Sequence, residues 1–161
     1  MPQGSVKIDE ISRIADQLKR AFEGDAWHGP AVLEVLEGVS ARAAAGKPVA
    51  GAHSIWELVL HIAAWDGAIR RRMEGQALQL SPEQDFPPVT DSSENAWRGA
   101  VQALRQRHAE LIDAVLAMPD YRLTASVPGK DYDFYHMLHG AVQHELYHAG
   151  QIAILKKALA R

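Results

Sequence analysis

Apolar residues recur three and four positions apart along most of this chain, the period of an amphipathic helix. Ile8, Ile11, Ile14, Ala15, Leu18 and Phe22 mark a first helix near 7–24, ended by Gly24 and Asp25. Pro30 suits the first turn of a short helix with Val32, Leu33, Val35 and Leu36 as its apolar positions. Gly46, Lys47 and Pro48 then break the chain. Ser54 with Glu57 three residues on reads as a capping box. It predicts a second long helix reaching about Met73 through Ile55, Leu58, Val59, Ile62 and Ile69, stopped by Gly75. Residues 76–90 contain Pro82, Pro87 and Pro88, too many for regular structure, and predict the longest loop. Ser92 or Ser93 caps a third helix that carries Val101, Leu104, His108, Leu111 and Val115. Residues 121–130 are the sole candidate strand or extended piece, closed by Pro128 and Gly129. A fourth helix starts near Asp131–Phe134 and runs almost to the end. Four long amphipathic helices without convincing strands predict an all-α four-helix bundle with a short extra helix. The connection at 76–90 is long enough to cross over an end of the bundle.

Composition narrows the chemistry. A chain of 161 residues is expected to form one domain spanning 1–161. It has 17 Lys and Arg against 20 Asp and Glu, a net charge of −3, which gives no electrostatic case for a nucleic-acid partner. No stretch approaches the ~18 uncharged apolar residues of a membrane span. The opening MPQGSVKIDE lacks an apolar core of signal-peptide length. Both features point to a cytoplasmic protein with no membrane partner. Cysteine is absent, which excludes disulfides, Cys-ligated zinc, iron–sulfur clusters and thiol nucleophiles. Eight histidines remain, so a metal site here must use nitrogen and oxygen ligands.

The segment His144-Glu145-Leu146-Tyr147-His148 sits within the fourth helix. Histidines four apart lie about 40° apart around a helix and one turn along it, so their imidazoles can converge on one ion. The segment also fits H-E-x-x-H, the zinc metalloprotease pattern. That reading fails on the third ligand, which such proteases take from downstream. Residues Ala149 to Arg161 contain no His, Asp or Glu, and no sheet is predicted for the motif helix to pack on. A third ligand must come from upstream. His61, deep in the apolar stretch of the second helix, is the best candidate, because a buried polar group without a partner costs about 1–3 kcal/mol. Three histidines leave coordination positions open, as catalytic sites do.

These residues also resemble a known family. Trp27-His28-Gly29-Pro30, His53 through Leu58 followed by His61, Trp65, Phe86-Pro87-Pro88, Trp97 and His144 through Gln151 resemble the DinB-like four-helix-bundle metalloproteins over nearly the whole chain. The resemblance implies one divalent metal on His61, His144 and His148. It also implies metal-dependent hydrolase or low-molecular-weight-thiol S-transferase chemistry, and a homodimer. Neutral nitrogen donors suit zinc or nickel, with iron(II), copper(II) and cobalt also compatible. The alternative is a non-catalytic metal or small-ligand binding module of the stress response.

Around these ligands the catalytic candidates are weaker. Gln151 lies on the stripe of His144 and could orient a ligand or touch substrate; a solvated helix position is equally expected. Glu145 reads first as a surface charge or intra-bundle hydrogen bond and second as a general base. Glu57 reads first as the capping box. His28 and His53 read as loop structure, His108 as a satisfied core histidine, and His136 and His139 as solvent or packing positions. Trp56, Trp65 and Trp97 read as core, although the four tryptophans also offer anchors for a dimer.

Overall fold

The computed structural model describes residues 9–160. Four long helices form the bundle: α1 (Glu10–Phe22), α4 (Ile55–Met73), α6 (Glu94–Ala117) and α7 (Phe134–Leu159). Three short helices lie between them: α2 (Val32–Leu36), α3 (Ala41–Ala45) and α5 (Pro82–Asp85). Each long helix opens on an acidic or hydroxyl cap that accepts from an otherwise orphaned N–H. Asp9 caps α1, Ser54 caps α4, Ser93 caps α6 and Asp133 caps α7. Ser54 and Glu57 make the expected reciprocal pair, at 3.1 and 2.8 Å. The part of the first helix expected before Asp9, including Ile8, lies outside the described residues.

Helix α4 packs on α6 and α7, and α1 packs on the same two, so α1 and α4 occupy one diagonal and α6 and α7 the other. Contacts along the helices set their directions. Trp56 meets Trp97, Asp66 faces His108, and Arg70 faces Glu110, so α4 and α6 are parallel neighbours. A parallel pair needs a connection that returns the full length of the helix, about 28 Å for a helix of 19 residues. Residues 74–93 make that return, which is the long crossover expected from the sequence.

Three local expectations need correction. Residues 76–90 are not wholly irregular, because Ser81 caps α5 and Pro82 sits at its first position, where proline's missing N–H costs nothing. Pro30 lies before the cap of α2 rather than in its first turn; the Ala31 N–H donates to the Glu34 carboxylate at 2.8 Å. The candidate strand at 121–130 is instead a 3-10 turn over Asp120–Thr124, followed by a tight loop with one isolated bridge, Ser126 to Asp133. No neighbouring strand offers it a ladder among the described residues. Asp120 instead accepts from the N–H groups of Glu10 and Ile11 at 3.2 and 3.0 Å, adding to the cap of α1.

The core is two apolar clusters. One joins Ile11–Leu18 of α1, Ile69 and Met73 of α4, Leu111–Met118, and Phe134–Ala141 of α7. The other joins Phe22, α2, α3, Ile55–Ile62 of α4, Trp97 and Leu104 of α6, and Ala149–Leu155 of α7. The level between them carries the polar residues of interest: His61 and Asp66 on α4, His108 on α6, and His144, Glu145 and His148 on α7.

Candidate metal centre

His61 comes from the middle of α4, while His144 and His148 are one turn apart on the antiparallel α7. The Nε2 atoms of His61 and His148 each lie 3.0 Å from Nε2 of His144. His61 and His148 are buried and His144 is half-buried. Each outer imidazole has its far nitrogen held by an acceptor. His61 Nδ1 donates to the Asp85 carbonyl oxygen at 2.8 Å, and His148 Nδ1 donates to Gln151 Oε1 at 2.6 Å. With the proton on Nδ1, the Nε2 lone pair of each ring points at the common centre. Three lone pairs directed at one point form a donor set that can hold a metal ion.

Electrostatics keeps these rings in the ligating form. Burial, with His148 and His61 alongside, pushes His144 down to about 3. Burial also lowers His61 and His148, although hydrogen bonds to Asp85 and Gln151 work the other way. All three are neutral imidazoles at neutral pH, as a nitrogen ligand must be.

The crossover completes the site. Asp85 at the end of α5 holds His61 through its carbonyl, and its carboxylate lies 3.1 Å from the same Nδ1 while accepting from Trp65 Nε1 at 2.7 Å. Phe86 stacks on His61 with ring centroids 4.0 Å apart and on the exposed His53 at 3.8 Å, so its ring lies between two imidazoles. Asp85 was not anticipated from the sequence. The Ser81-Pro82-Glu83-Gln84 start signal could have placed α5, but nothing local says that its last residue reaches His61.

The remaining candidates separate. Gln151 joins the site as a partner of His148. Glu57 does not: its carboxylate accepts from Ser54 N–H and pairs with Lys47 at 2.8 Å. Burial pushes the Glu57 carboxyl up, but Lys47 and the Ser54 N–H outweigh it and hold it below its ordinary range. Glu145 is not a surface charge but the intra-bundle partner that the sequence also suggested; its side chain turns away from the three histidines and is fully buried at the bundle axis. There its Oε1 meets His108 Nδ1 at 2.9 Å, with Asp66 Oδ2 at 3.6 Å from the same nitrogen. Phe22 of α1 stacks on His108 at 3.8 Å, so all four long helices meet at this group. Asp66 was also missed, since one acidic residue in a helix reads as surface from sequence. Burial pushes the His108 imidazole down, but the two carboxylates overcome it and raise it to about 9. Burial raises the Asp66 and Glu145 carboxyls, Glu145 to about 7. The three donor atoms lie within 4.8 Å of one another and could also hold a cation, but the protonated imidazole offsets one carboxylate, and burial, which raises both carboxyls, favours a proton on the other.

His28 and His136 are exposed, and His139 Nε2 lies 3.7 Å from the Glu10 carboxylate. Trp56 and Trp97 are core residues, Trp65 is half-buried, and Trp27 is fully exposed. Beside the centre, His144 forms part of the lining of a pocket of about 260 Å³ between α4 and α7.

Among known proteins, no curated protein and no solved structure matches this chain. A family model of the DinB superfamily matches residues 26–152, a span that includes His61, Asp85, His144, His148 and Gln151; the chain belongs to the DinB superfamily.

Proposed function

We propose that this protein is a metal-dependent enzyme, a hydrolase or a low-molecular-weight-thiol S-transferase, with one divalent transition ion, zinc or nickel, held by Nε2 of His61, His144 and His148. The observation that carries the proposal is the convergence of three neutral imidazoles, two of which, His61 and His148, have their outer nitrogens held by Asp85 and Gln151. Such an ion lowers the pKa of a water or thiol and polarises a carbonyl. The chain's own contribution is orientation. Asp85 and Gln151 fix the tautomers of His61 and His148, and burial keeps the rings unprotonated. Three protein donors leave positions for water or substrate, and His144 lies along a pocket beside the centre. That pocket favours an enzyme over a module that only stores metal, which needs none.

No described helix is long and apolar enough to cross a membrane. We place the protein in the cytoplasm as a homodimer, with the fully exposed Trp27 among the residues available to a second copy. Sedimentation showing a single 17.7 kDa species at micromolar concentration would remove the dimer.

The functional test is metal analysis of protein from its native host, followed by hydrolase and thiol-transferase screens with the ion found. One equivalent of metal and turnover abolished by chelation are expected. Tight metal binding without turnover would move the reading to the binding module, and protein that takes up no ion would overturn both.

A further inference from the structure

The pocket beside His144 contains a buried positive charge with no negative partner. Arg72, near the end of α4, is 3 % exposed, yet it makes no salt bridge among the described residues. Its bonds go to neutral acceptors. Nε and Nη2 donate to the Leu78 carbonyl at 3.1 and 2.9 Å, and Nη1 donates to Tyr132 Oη at 3.3 Å. A guanidinium has five N–H groups, so two remain beyond these three bonds. Its Cζ lies over the Trp65 ring, 5.2 Å from the centroid, which stiffens it further. A buried ion whose charge is not compensated is costly, and a site that keeps one has a use for it.

The rest of the lining says what that use is. Trp65, Ile69 and Met137 supply apolar wall, Tyr132, His136 and His144 add polar edges, and among the described residues no Asp, Glu or Lys lines the cavity, which leaves Arg72 its one fixed charge. At about 260 Å³ it is smaller than the ~300–1,000 Å³ of drug-sized sites. A cationic ligand would meet a like charge with no acid to offset it. A phosphate would bring about two charges to a single guanidinium. One planar guanidinium in an apolar slot matches one planar carboxylate on a small apolar body.

We propose that this pocket binds a small organic carboxylate, its carboxylate at Arg72 and its apolar body along Trp65, so that the far end of the molecule faces His144. This names the substrate class of the proposed metal enzyme and rests on that reading for its catalytic meaning. The anion contact itself does not require the ion.

The experiment uses the full chain, zinc-loaded and metal-free, with two pairs of same-shaped probes: benzoate against benzamide, and phenylacetate against phenylacetamide. Calorimetry gives affinities, and the Trp65 indole N–H resonance reports where the probe sits. Each acid should bind at least about tenfold tighter than its amide, a difference of about 1.4 kcal/mol. That preference should persist without metal, should vanish in Arg72→Gln, and should return in part in Arg72→Lys. Zinc stoichiometry should not change in either variant. Equal affinity for acid and amide in the metal-free wild type, a preference that survives in Arg72→Gln, or no acid binding at millimolar concentration would each overturn the proposal. If Arg72→Gln does not fold, the acid–amide comparison on the wild type still decides. Zinc bound with no acid preference sinks this inference alone; an acid preference in a chain that takes up no zinc sinks the metal reading alone.

Discussion

Two polar clusters occupy the same level of the bundle and are built from neighbouring residues. His144 and Glu145 are adjacent on α7, and His61 and Asp66 stand little more than a turn apart on α4. At about 100° per residue, His144 and Glu145 project about 100° apart and His61 and Asp66, five residues apart, about 140° apart, so the first of each pair joins the three-histidine centre beside the pocket and the second turns to the bundle axis. Their chemistry diverges accordingly. The histidine centre is held neutral by burial and like neighbours, and its lone pairs converge. The axial group is a charged imidazole between two carboxylates, closed off by Phe22. One cluster is arranged to receive an ion, whereas the other compensates its own charge. The same residue type serves both ends, and what surrounds it decides which.

The sharpest way to break this comparison is to remove one histidine from each side. His108→Ala should destabilise the fold by about 3–5 kcal/mol, because it leaves two carboxylates buried without their cation. His148→Ala in metal-free protein should cost about 1 kcal/mol or less, since it deletes one hydrogen bond to Gln151. Denaturant midpoints measure both, and equal losses would dissolve the distinction between a folding group and a binding group.

Metal affinity should show the reverse ranking. Bound zinc should weaken beyond the ~10–100-fold range of supporting contacts in His148→Ala, which removes a ligand, and by about tenfold in Gln151→Ala, which removes only the group that orients it. Competition with a chromogenic chelator reads both. An unchanged affinity in His148→Ala would remove it from the centre.

The stability of the metal-free protein should depend on pH in opposite senses for the two clusters. The three site histidines have lowered folded values, so their contribution is complete above about 6.5 and is lost as pH falls, through about 3 for His144. His108 is raised, so its contribution is complete below about 6.5 and is lost as pH rises through about 9. The raised Asp66 and Glu145 carboxyls act in the same sense, Glu145 through about 7, so the triple variant Asp66→Asn, His108→Gln, Glu145→Gln should flatten the alkaline arm and leave the acidic one. Thermal melts across pH in the presence of a chelator measure the two arms, and a variant that keeps the full alkaline loss would place it elsewhere.

The smallest effect should be on secondary structure. Two apolar clusters continue above and below the polar level without help from an ion. Chelation should therefore leave the helical circular dichroism almost unchanged while lowering the melting temperature, because metal binds only the folded site. Collapse of the helical signal would make the ion structural.

The helices were legible because they obey local rules. Ser54 with Glu57, Ser93 before Glu94 and the 3.6-residue repeat each act within a few residues, and the structure keeps them. The i, i+4 spacing of His144 and His148 is local too. The tight turn around Gly129 was also legible; its φ of 72° suits glycine, and it packs its backbone 3.3 Å, measured from where a Cβ would stand, from Ala77 on the crossover. By contrast, the extended reading of 121–130 failed because strand propensity without a partner strand has no ladder to join.

By itself the sequence determined four long helices, the caps of α4 and α6, an interior without cysteine, and a histidine pair aligned on one face. It also placed His61 in an apolar stripe, where an imidazole requires a partner. Only the tertiary structure decided which partner. Parallel packing of α4 and α6 forces residues 74–93 back along the bundle, which carries Asp85 to His61 and Leu78 to Arg72. The axial meeting of Asp66, His108 and Glu145 depends on three helices whose contacting residues are tens of positions apart in the chain. No local rule encodes such meetings, because side-chain direction on one helix is set by its own period, whereas what it faces is set by how the other helices pack.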